Sequence, residues 1–182
     1  MFTENENATL KKLGLIKPPV GIKYFTRQPD VARLDRKMTL CEMLAWAQEG
    51  NAFYADSDNH TCEPGQYILG QCDIKEPYLN GEFGTGLQLF ESPRAASRLY
   101  RHIYKIEKGA VRYIALSPVE RLTFDPDLLV IMADVSQTEI ILRAASYKTG
   151  DMWHSLYTPA IGCSLIFAYP YLNGKMNYTT TG

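Results

Sequence analysis

Two stretches of this 182-residue chain carry the same order of folding signals, and that order limits what the chain can fold into. The first runs from the apolar, β-branched segment 20–25 to the box Thr39-x-x-Glu42, then Gly50, then Cys62. The second runs from the apolar segment 128–133 to Ser136-x-x-Glu139, then Gly150, then Cys163. In such a box the hydroxyl and the carboxylate each accept from the other residue's backbone amide, which satisfies orphan donors at a helix start. After the first box, Leu40, Met43, Leu44 and Ala47 recur at the spacing of one helical face, and Gly50 is the stop. Gly50 and Cys62 are 12 positions apart, and Gly150 and Cys163 are 13. The pattern predicts an α/β (or α+β) single domain over residues 1–182, with a mixed sheet built from two β-α-β-like pseudo-repeats. The pseudo-halves are 14–75 and 110–182, joined by a helix over 92–108. An ancient internal duplication and the independent reuse of the same caps by short α/β units both account for the repetition.

Other signals fill in the order of elements. Residues 7–13 read as a short helix ended by Gly14, and 137–147 as a helix that stops before Gly150. Segments 52–54, 66–69, 111–116 and 165–169 read as strands, and the near-continuous apolar run 128–133 as a strand covered on both faces. Ser92 as N-cap and Pro93 at the first helical position open a long helix to Lys108, closed by Gly109. Its buried side is Ala96, Leu99, Ile103 and Ile106. Its cations Arg94, Arg98, Arg101, Lys105 and Lys108 form one stripe, which suits either an anionic ligand or a solvated face. The glycine-rich segment 80–86 lacks the Lys-Ser/Thr of a P-loop, and reads as a flexible lip or a connector. Asn173-Gly174 marks a hairpin turn.

Composition narrows the class. At 46% hydrophobic the chain can bury a core, which excludes a disordered or collagen-like protein. A net charge of −1 argues against a dedicated nucleic-acid partner. No apolar run approaches the ~20 residues of a membrane span, so no membrane partner is expected. The first seven residues are polar and acidic rather than a secretory signal, which predicts a cytoplasmic protein and makes the sequons at Asn7, Asn59 and Asn177 chance matches. Four cysteines without a CxxC pair fit free thiols in a reducing compartment.

A family resemblance is spread over nearly the whole chain. Its first part is Leu13-Gly14-Leu15, Pro18-Pro19-Val20-Gly21-Ile22-Lys23, Cys41 on a helix, Cys62-x-x-Gly65 and Gly70. Its second part is Pro126-Asp127-Leu128-Leu129-Val130, Gln137, Ala144-x-x-Tyr147-x-x-Gly150 and Gly162-Cys163. Together, in order and spacing, these residues resemble the family known as domain of unknown function 169. The resemblance implies an uncharacterised family common in anaerobic bacteria and archaea. It also implies a further segment bearing Cys, Gly and Arg in other members; a fourth ligand drawn from that segment would be missing from a site built on this chain alone.

The chemistry-bearing candidates are thiols at turns and helix starts. Cys41 sits at the second position of a boxed helix, where free amides and the dipole lower a thiol's pKa. Its alternative role is a small buried hydrophobe beside Leu44 and Ala45. His60 and Cys62 leave one face of an extended segment together, and Cys72 follows after the Gly70 turn. With Cys41 or Cys163 these suit zinc or an iron–sulfur cluster. Cys163 occupies the place of Cys62 in the second half, so that the two would meet near a pseudo-twofold axis. The helix start at Ser136, like that at Cys41, presents amides to a bound ligand. There is no nucleophile elbow and no HExxH motif.

Three functions fit these residues. The first is a cytoplasmic binding protein whose Cys41, Cys62, Cys163 and Ser136 line a pocket for a small-molecule ligand, a metal or a metallocofactor, with His60, Cys62, Cys72 and Cys41 as metal ligands. The second is a thiol-dependent enzyme using Cys41 or Cys163 with His154. The third is a non-catalytic homo-oligomeric module with exposed Tyr and Trp at its interface.

Overall fold

Strand β1 (Val20–Phe25) forms where the apolar, β-branched run predicts it, and it becomes the middle of the sheet. The structure, a computed structural model, describes residues 4–179. In chain order the helices are α1 (Glu4–Lys12), α2 (Leu40–Gln48), α3 (Glu63–Ile68), α4 (Glu76–Leu79), α5 (Glu82–Gly86), α6 (Pro93–His102), α7 (Val135–Ser146) and α8 (Tyr169–Asn173). A π-helix (Ser164–Ala168) runs directly into α8. The remaining strands are β2 (Phe53–Ala55), β3 (Tyr113–Pro118) and β4 (Leu128–Val130). The expectations for Met1–Thr3 and for the chain end at Thr180–Gly182 concern residues outside those described.

The strands form one sheet in the order β2-β3-β1-β4. Every pairing is antiparallel, with Val20 opposite Pro118, Gly21 opposite Leu129 and Phe53 opposite Leu116. Parallel geometry is confined to two isolated bridges, Arg33–Tyr54 and Met38–His60. The α/β mixed single domain therefore stands, and the mixed character of the sheet reduces to those two bridges. Burial on both faces belongs to β1 and β3, whose residues are almost all buried. The 128–133 run, expected there, is instead a short half-buried edge strand. Its apolar residues face a pocket described below.

One face of the sheet carries the core. Leu40, Met43 and Ala47 of α2, Ile68 and Leu69 around the end of α3, and Phe167 and Ala168 of the π-helix join Val20, Ile22, Ile114 and Leu116 in one buried cluster. Two hydrogen bonds, one buried and one part-buried, hold the π-helix there. The Tyr24 hydroxyl donates to the Phe167 carbonyl (2.9 Å), and the Ser164 hydroxyl to the Tyr104 carbonyl (2.7 Å).

Several expected elements differ. Segments 66–69 and 165–169 are helical, not strands. Short apolar runs have no period that separates a buried strand from a buried helix. The second half thus lacks a strand after its helix, whereas the first has β2. The joining helix ends at His102 instead of Lys108, because Ile103 turns extended and the chain goes on to pair with the α3 turn. The Ile106 amide donates to the Ile68 carbonyl (2.8 Å) and the Gly109 amide to the Gly70 carbonyl (2.9 Å). The cationic stripe is broken accordingly: Arg94, Arg98 and Arg101 stay on α6, Lys105 lies 4.6 Å over the Tyr67 ring and Lys108 pairs with Asp73. Segment 80–86 is not a lip but mostly α5, packed on α6. Gly81 starts it at a positive φ of 89° against the Pro93 carbonyl, a place no side chain fits. Gly174, also at positive φ, caps α8 rather than turning a hairpin.

Candidate functional site

Each of three cysteines sits at the start of a helical segment, and the core packing brings those starts together. Cys41 is the second residue of α2. The Thr39 hydroxyl accepts from the Glu42 amide (3.3 Å) and Glu42 accepts from the Thr39 amide (2.7 Å), which is the predicted box. Cys62 is the N-cap of α3, and Cys163 the N-cap of the π-helix. Segments α3 and the π-helix touch each other, and α2 packs on the sheet beside them. Cys41 is exposed, and Cys62 and Cys163 are half-buried.

The electrostatics show the convergence directly. Burial, then Cys41, then Cys62 push the Cys163 thiol up to about 12. Burial raises Cys41 as well, followed by Cys62 and then Glu42, against a lowering by a backbone hydrogen bond. Cys41 and Cys163, from distant parts of the chain, therefore both lie within electrostatic reach of Cys62. The expected lowering of Cys41 is corrected for a physical reason: burial disfavours the thiolate, and Cys62 and then the Glu42 carboxylate at the helix start add to it, which together outweigh the free amides and the dipole. Protonated thiols are weak nucleophiles. His154, the proposed partner of a catalytic thiol, is exposed in the segment before the π-helix.

His60 lies beside this cluster. The ring is buried, at 3% exposure, and burial lowers its pKa, so the imidazole is neutral at physiological pH. Its Nδ1 is 3.2 Å from Gln71 Oε1, and its Nε2 is buried with no hydrogen-bond partner among the described residues. A side chain at Gly65 would meet Nε2 at 2.6 Å and Leu40 Cβ at 3.4 Å, so the glycine of Cys62-x-x-Gly65 makes room for this ring. The stretch from His60 to Cys62 is extended: His60 bridges Met38, the Thr61 amide donates to the Met38 carbonyl (2.9 Å), and Cys62 keeps extended backbone angles before α3 begins at Glu63.

Cys72 and Ser136 are not among the groups that shift Cys41 and Cys163. The Cys72 thiol donates to the Glu63 carbonyl (3.7 Å) and is raised by burial, then by Glu63 and Asp73, with Lys75 and Lys108 opposing. Ser136 is an exposed residue in the first turn of α7 and does not cap it. The cap is Asp134, which accepts from the Gln137 amide (2.8 Å) while Gln137 accepts from the Asp134 amide (2.9 Å).

Sequence reasoning missed Tyr78 of α4. Burial, then Glu63 and then Cys62 raise its phenol, so it belongs to the Cys62 side of the cluster. Tyr100 of α6 meets the Tyr78 ring edge-on at 5.6 Å, with its own hydroxyl buried and without a hydrogen-bond partner among the described residues. No spacing marks either residue, because α4 and α6 reach the cysteine only through tertiary packing. Among the described residues no group of three or more His, Cys, Asp or Glu is arranged to hold a metal ion, and no helix is long and apolar enough to cross a membrane.

An α/β domain with an antiparallel sheet, gathering free thiols from three helix starts on one face, is the class that fold and site define. Within that class the chain belongs to the domain of unknown function 169 family, described as Uncharacterised ArCR, whose sequence profile matches residues 10–182. No curated protein and no solved structure matches it.

Proposed function

We propose that this chain is a cytoplasmic binding protein for a metallocofactor, with Cys41, Cys62 and Cys163 as thiolate ligands and an iron–sulfur cluster as the group they suit best. One observation carries the reading: the three thiols lie within electrostatic reach of one another at three helix starts. Burial first and the neighbouring thiols second favour the protonated forms of Cys41 and Cys163, and a bound cation would offset both as it displaces the protons. A zinc ion holds each sulfur at about 2.3 Å and needs a tight ligand set. Such a set is not assembled among the described residues, whereas a cluster ligates each thiolate through a separate iron and so spans wider spacings. The neutral imidazole of His60, with its unpartnered Nε2, is our candidate for a fourth ligand. Pseudo-halves 14–75 and 110–182 fit the same reading: β1 and β4 are antiparallel neighbours, and Cys62 and Cys163, which the repeat equates, each stand at a helix start, with Cys41 a second one from the first half.

The test is anaerobic reconstitution with ferrous iron and sulfide, followed by absorption spectroscopy and metal analysis. Wild type and Cys72→Ser are expected to hold a visible chromophore with several irons per chain, and Cys41→Ser, Cys62→Ser and Cys163→Ser to lose it. A colourless wild type, or equal loss in Cys72→Ser, contradicts the reading.

A further inference from the structure

One helical turn beyond the thiols lies a second site. Leu44, three residues past Cys41 in α2, and Ile166, three past Cys163 in the π-helix, form part of the wall of a pocket of about 380 Å³. Edge strand β4 and residues 131–133 form another wall, and Ile141 and Leu142 of α7 a third. The volume falls within the range of small-molecule sites, about 300–1,000 Å³. Among the described residues no charged side chain lines it, so a charged ligand would lose its hydration without a counter-charge. The pocket lies along β4 at the edge of the sheet, where the apolar run is only half-buried.

One polar group on the wall is unsatisfied. The indole Nε1 of Trp153 is buried and has no hydrogen-bond partner among the described residues. Asn177, also on the wall, already accepts from the Leu156 amide (2.9 Å) and donates to the Leu156 carbonyl (3.2 Å). A donor buried without a partner is unfavourable, and an acceptor on a bound molecule would satisfy it. We propose that this pocket binds a neutral, flat, largely apolar small molecule with a carbonyl acceptor, its rings between β4 and α7 and its oxygen on the Trp153 N–H. The site stands independently of the thiols, although its occupant would end one turn from Cys41 and Cys163.

The probe is prodan, a neutral naphthalene with a propionyl carbonyl whose emission moves to the blue in apolar surroundings. Titrated with the full chain, it is expected to shift and to saturate at one per chain. Trp153→Phe, which keeps a ring but removes the donor, should weaken binding about three- to tenfold. Leu142→Trp and Ala133→Phe fill the pocket from opposite walls, and should abolish the shift with the circular dichroism spectrum unchanged. Cys41→Ser should bind as wild type, so this site and the thiol reading fail separately. Absence of a shift in wild type, a shift that survives both filling variants, or a Trp153→Phe titration equal to wild type overturns the proposal.

Discussion

Glu42 acts on α2 and on Cys41 in opposite senses. Its carboxylate accepts from the Thr39 amide and hydroxyl (2.7 and 2.9 Å), which fixes the helix start, and the same charge raises the thiol one residue away. Glutamine keeps the accepting oxygen and drops the charge. Glu42→Gln is therefore expected to alkylate at Cys41 about twofold faster with iodoacetamide at about pH 8, because more of the thiol is ionised. Peptide-resolved labelling rates check this. Cys163 sets a pH dependence of the opposite kind. Its thiol stands at about 12 against an ordinary 9.0, so the unfolded chain gives up this proton first. Stability is then full below pH 9 and declines as pH rises from 9 toward 12. Urea midpoints across that window should fall less steeply in Cys163→Ala than in wild type.

The helix starts decide the scale above. Thr39→Ala and Asp134→Ala should each cost about 1 kcal/mol, while Ser136→Ala should change the thermal midpoint little. The comparison tests which residue caps α7. The expected box, Ser136-x-x-Glu139, and the one that forms, Asp134-x-x-Gln137, both satisfy the local rule, which therefore does not choose between them. A distant contact settles it: with Asp134 as cap, the Gln137 side-chain amide donates to the Leu13 and Gly14 carbonyls (3.2 and 2.9 Å). The same division runs through the fold. Strand β1, the Thr39 box, the Ser92 cap with Pro93 and the glycine stops were legible because their signals are local. Pro64, at the second position of α3, was the local sign that the segment after Cys62 is a helix. The end of α6 at His102 was not legible, since it depends on hydrogen bonds from Ile106 and Gly109 to the α3 turn.

At the scale of the molecule, antiparallel pairing of β1 with both β3 and β4 lets one face of the sheet collect helices from both halves. The candidate site follows from that topology. Cys41, Cys62 and Cys163 were nameable as candidates from their turn and helix-start positions, but their meeting depends on the π-helix packing against α3. Cys72 shows the limit of sequence spacing: ten residues from Cys62, its thiol meets the Glu63 carbonyl (3.7 Å) and is not among the charges that raise Cys163, whereas Cys41 and Cys62 are. The most direct measurement of this convergence is bridging by dibromobimane, which joins two thiols only when they are close, read out by peptide mass spectrometry on the native chain. Bridges that link Cys163 to Cys62 or Cys41, with Cys72 modified singly, are the predicted result. Bridges that run chiefly to Cys72, or thiols modified one by one with no bridge at all, would contradict it.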